Sequence, residues 1–165
     1  MAAKNTILVG VGEYGASREP GAIVKTLALG SCVAVLLLDP KARCMGMVHV
    51  ALPDSNINKK RAKEKPGYFA DTGISALIKE MTKLGCQGGG RGWIAKLVGG
   101  ANVADTNNTF QVGKRNAIAI KKVLWELKIA PKAEDIGKNF SRTVAMDVST
   151  GKISITCPGR GTWGI

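Results

Sequence analysis

One histidine, His49, shares this chain with four cysteines, Cys32, Cys44, Cys86 and Cys157. A thiol beside an imidazole is the simplest nucleophile-and-base pair available to a protein, so the first question is which cysteine His49 can reach. Residues 32–38 and 45–52 are successive runs rich in aliphatic and β-branched residues, joined by Asp39-Pro40-Lys41-Ala42. If those four residues form the turn and the strands pair antiparallel without a bulge, Leu38 stands opposite Arg43 and Cys32 opposite His49. Directly opposed side chains leave the same sheet face with Cβ atoms about 4.5–5.5 Å apart, so the ring can approach the sulfur. An adjacent imidazolium lowers a thiol from about 8.5 to roughly 3.5–7.5, leaving a thiolate at neutral pH. In this reading Cys32 attacks and His49 shuttles the proton. Gly30 and Ser31, just before the cysteine, suit a tight turn that presents backbone N–H groups to an oxyanion. Thr26 can offer its hydroxyl to the other ring nitrogen.

Each of these residues also has an ordinary structural role. A cysteine in an apolar strand is usually an inert small core residue, a lone histidine is usually just hydrogen-bonded, and threonine is common in strands on steric grounds. The residues alone leave both readings open; the coincidence of a cysteine and a histidine across one hairpin is what favours chemistry. Cys44, Cys86 and Cys157 have no second histidine to activate them and read as structural.

The elements that must position these groups come from a chain of 165 residues, 45% hydrophobic and 22% charged. That length and balance predict one globular domain over 1–165 and exclude disorder as the main state. The apolar runs are far shorter than the ~18–20 residues of a membrane-spanning helix, and the first ten residues carry too short an apolar stretch for a secretory leader. A cytoplasmic protein with reduced thiols is expected. With no CxxC pair and a single histidine, no metal site is expected, and no cofactor.

Further strands are predicted at 6–11, 22–29, 93–98, 143–148 and 152–157, the last two joined by Ser149-Thr150-Gly151 as a hairpin at a sheet edge. Two helices are predicted. Ile74, Leu77, Ile78, Met81 and Leu84 share a face after Asp71 as N-cap, with Gly85 as the stop; Ala117, Ile120, Leu124 and Leu127 form a second stripe. Residues 59–67, rich in lysine, read as a solvated loop, and 85–92, rich in glycine, as a flexible connector.

Gly10-Val11-Gly12-Glu13-Tyr14-Gly15 spells the GxGxxG of dinucleotide-binding folds, but Ser17-Arg18-Glu19-Pro20-Gly21 follows before any helical period begins, so the match is formal only. The net charge of +12 favours an acidic partner. Together with Lys114, Arg115, Lys121, Lys122 and Lys128 on one helix, it permits an alternative: a nucleic-acid-binding domain in which Cys32 and His49 are structural. Eight scattered aromatic residues give no stacking platform for it.

Thr26-Leu27-x-Leu29-Gly30-Ser31-Cys32-Val33-Ala34-Val35, followed by Gly46-Met47-x-His49-Val50-x-Leu52-Pro53, resembles the signature of the CheD family of chemoreceptor glutamine deamidases. The likeness continues through Lys65-Pro66-Gly67-Tyr68-x-Ala70-Asp71-Thr72, Gly99-Gly100-Ala101, Gly113-Lys114-Arg115-Asn116, Ala133-Glu134-Asp135 and Arg142. Ala28 stands where that family often has glycine. The resemblance implies a cysteine hydrolase in which Cys32, His49 and Thr26 form a triad and convert receptor glutamines to glutamates, with ester hydrolysis on methylated receptors as a related activity. It implies an α+β layered sandwich, with a mixed β-sheet core and helices outside, similar to the catalytic domain of the cytotoxic necrotizing factor toxins. It also implies two partners, the chemoreceptor cytoplasmic domains and the CheC phosphatase, so a mainly regulatory adaptor for CheC is a second alternative.

Overall fold

The computed structural model describes residues 5–103 and 110–165. Ten strands fall in two five-stranded sheets. The outer sheet has the order β1 (Thr6–Leu8), β3 (Ile23–Leu29), β8 (Arg142–Asp147), β9 (Ile153–Cys157), β10 (Gly161–Gly164). The central sheet has the order β2 (Tyr14–Ser17), β5 (Cys44–Val50), β4 (Val33–Asp39), β6 (Ile94–Gly99), β7 (Pro131–Ile136). Each sheet contains one parallel pair, β1 with β3 and β6 with β7, and is otherwise antiparallel. The long helix α3 (Val112–Glu126) lies between the parallel strands β6 and β7 in the chain, the connection a parallel pair requires.

Alternation within β4 and β5 explains the layering. Val33, Val35 and Leu37, with Cys44, Val48 and Val50, face Ile74, Leu77 and Met81 of α2 (Ala70–Lys83) and Ile120 and Leu124 of α3. Ala34, Leu36, Met45 and Met47 face the other way, onto Val24, Val144, Met146 and Ile155 of the outer sheet. Both faces of the hairpin are therefore buried, which is why its sequence is apolar almost without interruption. The result is a three-layer α+β sandwich with helices outside one sheet, as the fold class anticipated, although the core comprises two sheets. Gly46 lets α2 approach: a Cβ there would lie 2.8 Å from Leu77 and 2.9 Å from Met81.

Several local expectations change. The first long helix begins after Phe69, not Asp71; Asp71 sits in the first turn, where its carboxylate accepts the backbone N–H and the hydroxyl of Ser55. Lys59–Glu64 forms a short helix, α1, capped by Asn58, whose side chain accepts the Arg61 N–H at 3.0 Å. The β8–β9 hairpin forms as expected but is not an edge, because β10 pairs with β9 and takes that position. The GxGxxG segment turns at Gly12 (φ 76°) into strand β2 instead of opening a helix. The glycine-rich connector holds a short 3-10 turn over Gly88–Gly90, with Gly90 buried beside Ile129.

Candidate active site

The turn of the β4–β5 hairpin is four residues long, as expected, but occupies Pro40 to Arg43. Asp39 remains in the ladder opposite Cys44 while its carboxylate accepts the N–H of Lys41 at 3.0 Å and Ala42 at 3.4 Å, and Arg43 closes the turn at φ 53°. This one-residue shift of the turn moves the register: Leu38 pairs with Met45 and Ala34 pairs with His49. Cys32 is not directly opposite His49. It lies two residues before Ala34, beyond the last rung, Val33 with Val50. The partner of a pair and the residue two before it lie on one face, so Cys32 is the diagonal neighbour of His49, and it packs against the core between the two sheets.

Alternation also turns His49 into that seam, two residues on from Met47. Thr26, two residues after Val24 on β3, enters the same seam from the opposite sheet, and the two side chains meet there. Thr26 Oγ1 lies 2.7 Å from His49 Nδ1, with both residues buried. The Thr26 hydroxyl has one proton and donates it to the Val9 carbonyl at 2.6 Å. It can therefore only accept from the ring, so Nδ1 carries the hydrogen and Nε2 holds a free lone pair. Nε2 is buried and has no hydrogen-bond partner among the described residues. The arrangement fixes the tautomer a general base needs and leaves its accepting atom unsatisfied.

The backbone of His49 is equally constrained. Its N–H donates to the Glu13 carbonyl at 3.0 Å and its carbonyl accepts the Gly12 N–H at 2.9 Å, extending the β2–β5 ladder. Just after Thr26, β3 carries an irregularity at Leu27 and Ala28, with Ala28 in the left-handed region at φ 48°. That conformation favours glycine and explains why glycine suits this position.

Burial sets the electrostatics. It holds the His49 imidazole down from 6.5 to about 4, with the Glu13 charge opposing, and it pushes the Cys32 thiol up, opposed by the residue's own backbone N–H. Both directions favour the neutral thiol and the neutral imidazole over the expected imidazolium-lowered thiolate. The reason is desolvation, which penalises both charged forms.

Gly30 and Ser31 form the bend between β3 and β4. The Gly30 carbonyl accepts from Ala101 N–H and the Cys32 carbonyl from Gly100 N–H, both at 2.8 Å. Among the described residues, no backbone carbonyl takes up the N–H of Gly30, Ser31 or Cys32. Gly30 and Ser31 line a cleft of about 490 Å³ whose other walls include Ala101, Val103, Phe110, Gly113 and Lys138. Cys32, His49 and Thr26 are not among the residues that line it; they lie in the seam between the sheets.

Sequence reasoning gave no role to Asn116, although its placement among Gly113, Ala117 and Ile120 on the buried face of α3 marks it as a polar residue on an apolar stripe. It is fully buried and donates from Nδ2 to the carbonyls of Ser31 and Ala51, each at 3.0 Å. Arg142 and Asp135 serve the framework: Arg142, also fully buried, pairs with Asp135 at 3.1 Å and donates to Gly137 O, tying the outer sheet to the central one. No cluster of metal-ligating side chains occurs among the described residues.

A three-layer α+β protein with a thiol and a hydroxyl-anchored imidazole in the seam between its sheets is the class that the geometry defines. The chain belongs to the CheD family. The family model described as CheD chemotactic sensory transduction matches residues 51–157. A Syntrophotalea carbinolica protein named probable chemoreceptor glutamine deamidase CheD is 54% identical over 159 residues, covering 96% of this chain and 98% of that protein. The chemoreceptor glutamine deamidase CheD of Thermotoga maritima is 40% identical over 154 residues, 93% of each. A probable chemoreceptor glutamine deamidase of Syntrophus aciditrophicus is 39% identical over 153 residues, 93% of this chain and 94% of its own.

Proposed function

We propose that this chain is a chemoreceptor glutamine deamidase whose catalytic residues are Cys32, His49 and Thr26. The observation that carries the reading is the buried, unpartnered Nε2 of His49, its tautomer set by Thr26, on the same inward face as Cys32. In the first half-reaction the Cys32 sulfur bonds to the carboxamide carbon of a glutamine side chain while Nε2 takes the thiol proton. The oxyanion is received by N–H groups of the Gly30, Ser31 and Cys32 bend. The C–N bond then breaks as the imidazolium returns its proton to the leaving nitrogen, releasing ammonia and leaving a thioester. Water attacks that thioester with its proton taken by Nε2, the C–S bond breaks, and the thiol recovers its proton, leaving glutamate on the receptor. The same steps on a glutamate methyl ester release methanol.

With both groups neutral at rest, His49 acts as a general base in the attack itself, and the substrate, by excluding water and bringing in a polar carbonyl, favours the charged pair only as the reaction proceeds. Residues 1–165 form one catalytic unit in this proposal, working in the cytoplasm on receptor cytoplasmic domains, with CheC as a second partner. No described helix is long and apolar enough to cross a membrane. The excess of basic residues, +12 overall, would assist docking on an acidic receptor bundle.

The test is incubation of purified receptor cytoplasmic fragments with the protein, followed by mass spectrometry for glutamine-to-glutamate conversion. Wild-type protein is expected to convert specific sites with release of ammonia, and Cys32→Ala to lose turnover by at least about a thousandfold while keeping its fold. Conversion that persists in Cys32→Ala would overturn the assignment.

A further inference from the structure

Beyond Val33 and Val50 the β4–β5 ladder ends, and the segments carrying Cys32 and Ala51 separate. Ala51 and Leu52 turn away to pair with the Tyr68 carbonyl, so no backbone ladder sets the distance between the Cys32 bend and the chain leaving His49. The Asn116 side chain spans that gap. Both hydrogens of the Asn116 amide are committed, one to the carbonyl just before Cys32 and the other to the carbonyl two residues after His49.

The anchor is rigid. α3 begins so close to the end of β6 that a Cβ on Gly113 would collide with the Gly100 carbonyl, and Gly100 itself holds the Cys32 carbonyl. A trans peptide directs its C=O and N–H to opposite sides. Drawing the Ser31 carbonyl toward Asn116 therefore turns the Cys32 N–H away from α3, and that N–H is the group that opposes the rise of the buried thiol. The arrangement also has a cost, because Asn116 Oδ1 is buried without a partner among the described residues. An apolar residue would avoid that cost, so the two donated hydrogens are what the position supplies.

We propose that Asn116 is a positioning residue for the reaction: its amide fixes the Ser31–Cys32 peptide relative to the His49 strand and so sets the reach and direction of the nucleophile. The inference rests on the reading of Cys32 and His49 given above. It is tested with Asn116→Ala in the full chain, using receptor fragments as substrate, alongside Ile120→Val one turn further along α3 as a control that loosens the same helix without touching either carbonyl. Asn116→Ala is expected to lower kcat about a hundredfold with KM within about twofold, the pattern of a misplaced reacting group. The pH midpoint of Cys32 alkylation by iodoacetamide is expected to move upward in Asn116→Ala and to stay at the wild-type position in Ile120→Val.

Wild-type kcat and an unmoved midpoint in Asn116→Ala, or the same changes in the Ile120→Val control, would overturn the proposal. If Asn116→Ala fails to fold, Asn116→Leu, near in size and with nothing to donate, is measured in its place against the same two outcomes. Failure here is distinguishable from failure of the functional reading: an active Cys32→Ala removes the nucleophile itself, whereas an inactive Cys32→Ala with a fully active Asn116 variant removes only the positioning role.

Discussion

The β4–β5 hairpin has cysteine at both ends, and the two ends differ in what faces the sulfur. At the turn, Cys44 is wholly buried; burial, then the neighbouring Cys86 and Asp39, push its thiol up to about 12. Asp39 is the nearby anion, but its carboxylate is already occupied by the N–H groups that shape the turn. At the open end, burial also raises the Cys32 thiol, yet the neighbouring side chain is an imidazole with an unused lone pair. Burial thus silences thiols at both ends. A thiol becomes useful only where a base has been kept without a partner, and among the described residues His49 is the imidazole that meets this condition in the proposed site.

The contrast breaks most sharply by exchange of effects. His49→Gln is expected to lower kcat for receptor deamidation by about a thousandfold or more, the scale of losing a general base within a catalytic unit, whereas Cys44→Ala leaves it within about twofold. Steady-state ammonia release measures both, and comparable losses in the two variants would erase the distinction.

Stability against pH sharpens it next, with opposite signs. His49 binds its proton less readily in the folded protein than in the unfolded chain, so its contribution is complete above about pH 6.5 and is lost as pH falls toward 4, by about 3 kcal/mol in all. Cys44 has a raised thiol, so its contribution is complete below 9.0 and is lost as pH rises toward 12. Urea unfolding across pH should find that His49→Gln flattens the acid side and Cys44→Ala reduces the loss on the alkaline side. The smallest effect expected is that of Thr26→Val. Removing the hydroxyl that receives Nδ1–H frees the ring to adopt the wrong tautomer and should lower kcat about ten- to a hundredfold with KM little changed. An unaltered kcat would mean that the Thr26 contact does not govern the base.

How much of this could be read from the sequence depends on burial. The central hairpin and both long helices announce themselves, because β4 and β5 are covered on two faces and α2 and α3 carry clean apolar stripes. Cys32, His49 and Thr26 stand out by chemical type alone. Strands β2, β7 and β10 are edge strands, and their sequences, Tyr-Gly-Ala-Ser, Pro-Lys-Ala-Glu-Asp-Ile and Gly-Thr-Trp-Gly, bury too little for a period to emerge. α1 has no buried residue and hence no stripe. The register was beyond sequence reasoning because it turns on one residue, Asp39, whose side chain can cap the turn while its backbone stays in the strand. Asn116 eluded it because its partners are carbonyls, which any residue supplies.

The paired hydrogen bonds that lock the His49 main chain to Gly12 and Glu13 divide the labour of adaptation between the two halves of the site. The proposed proton acceptor is part of the fixed masonry, common to every substrate, while the proposed nucleophile rides on a short bend outside the ladder. Retuning this scaffold toward side chains of a different length is therefore a problem of grafting the 30–32 bend and its amide brace together, with the histidine strand left untouched.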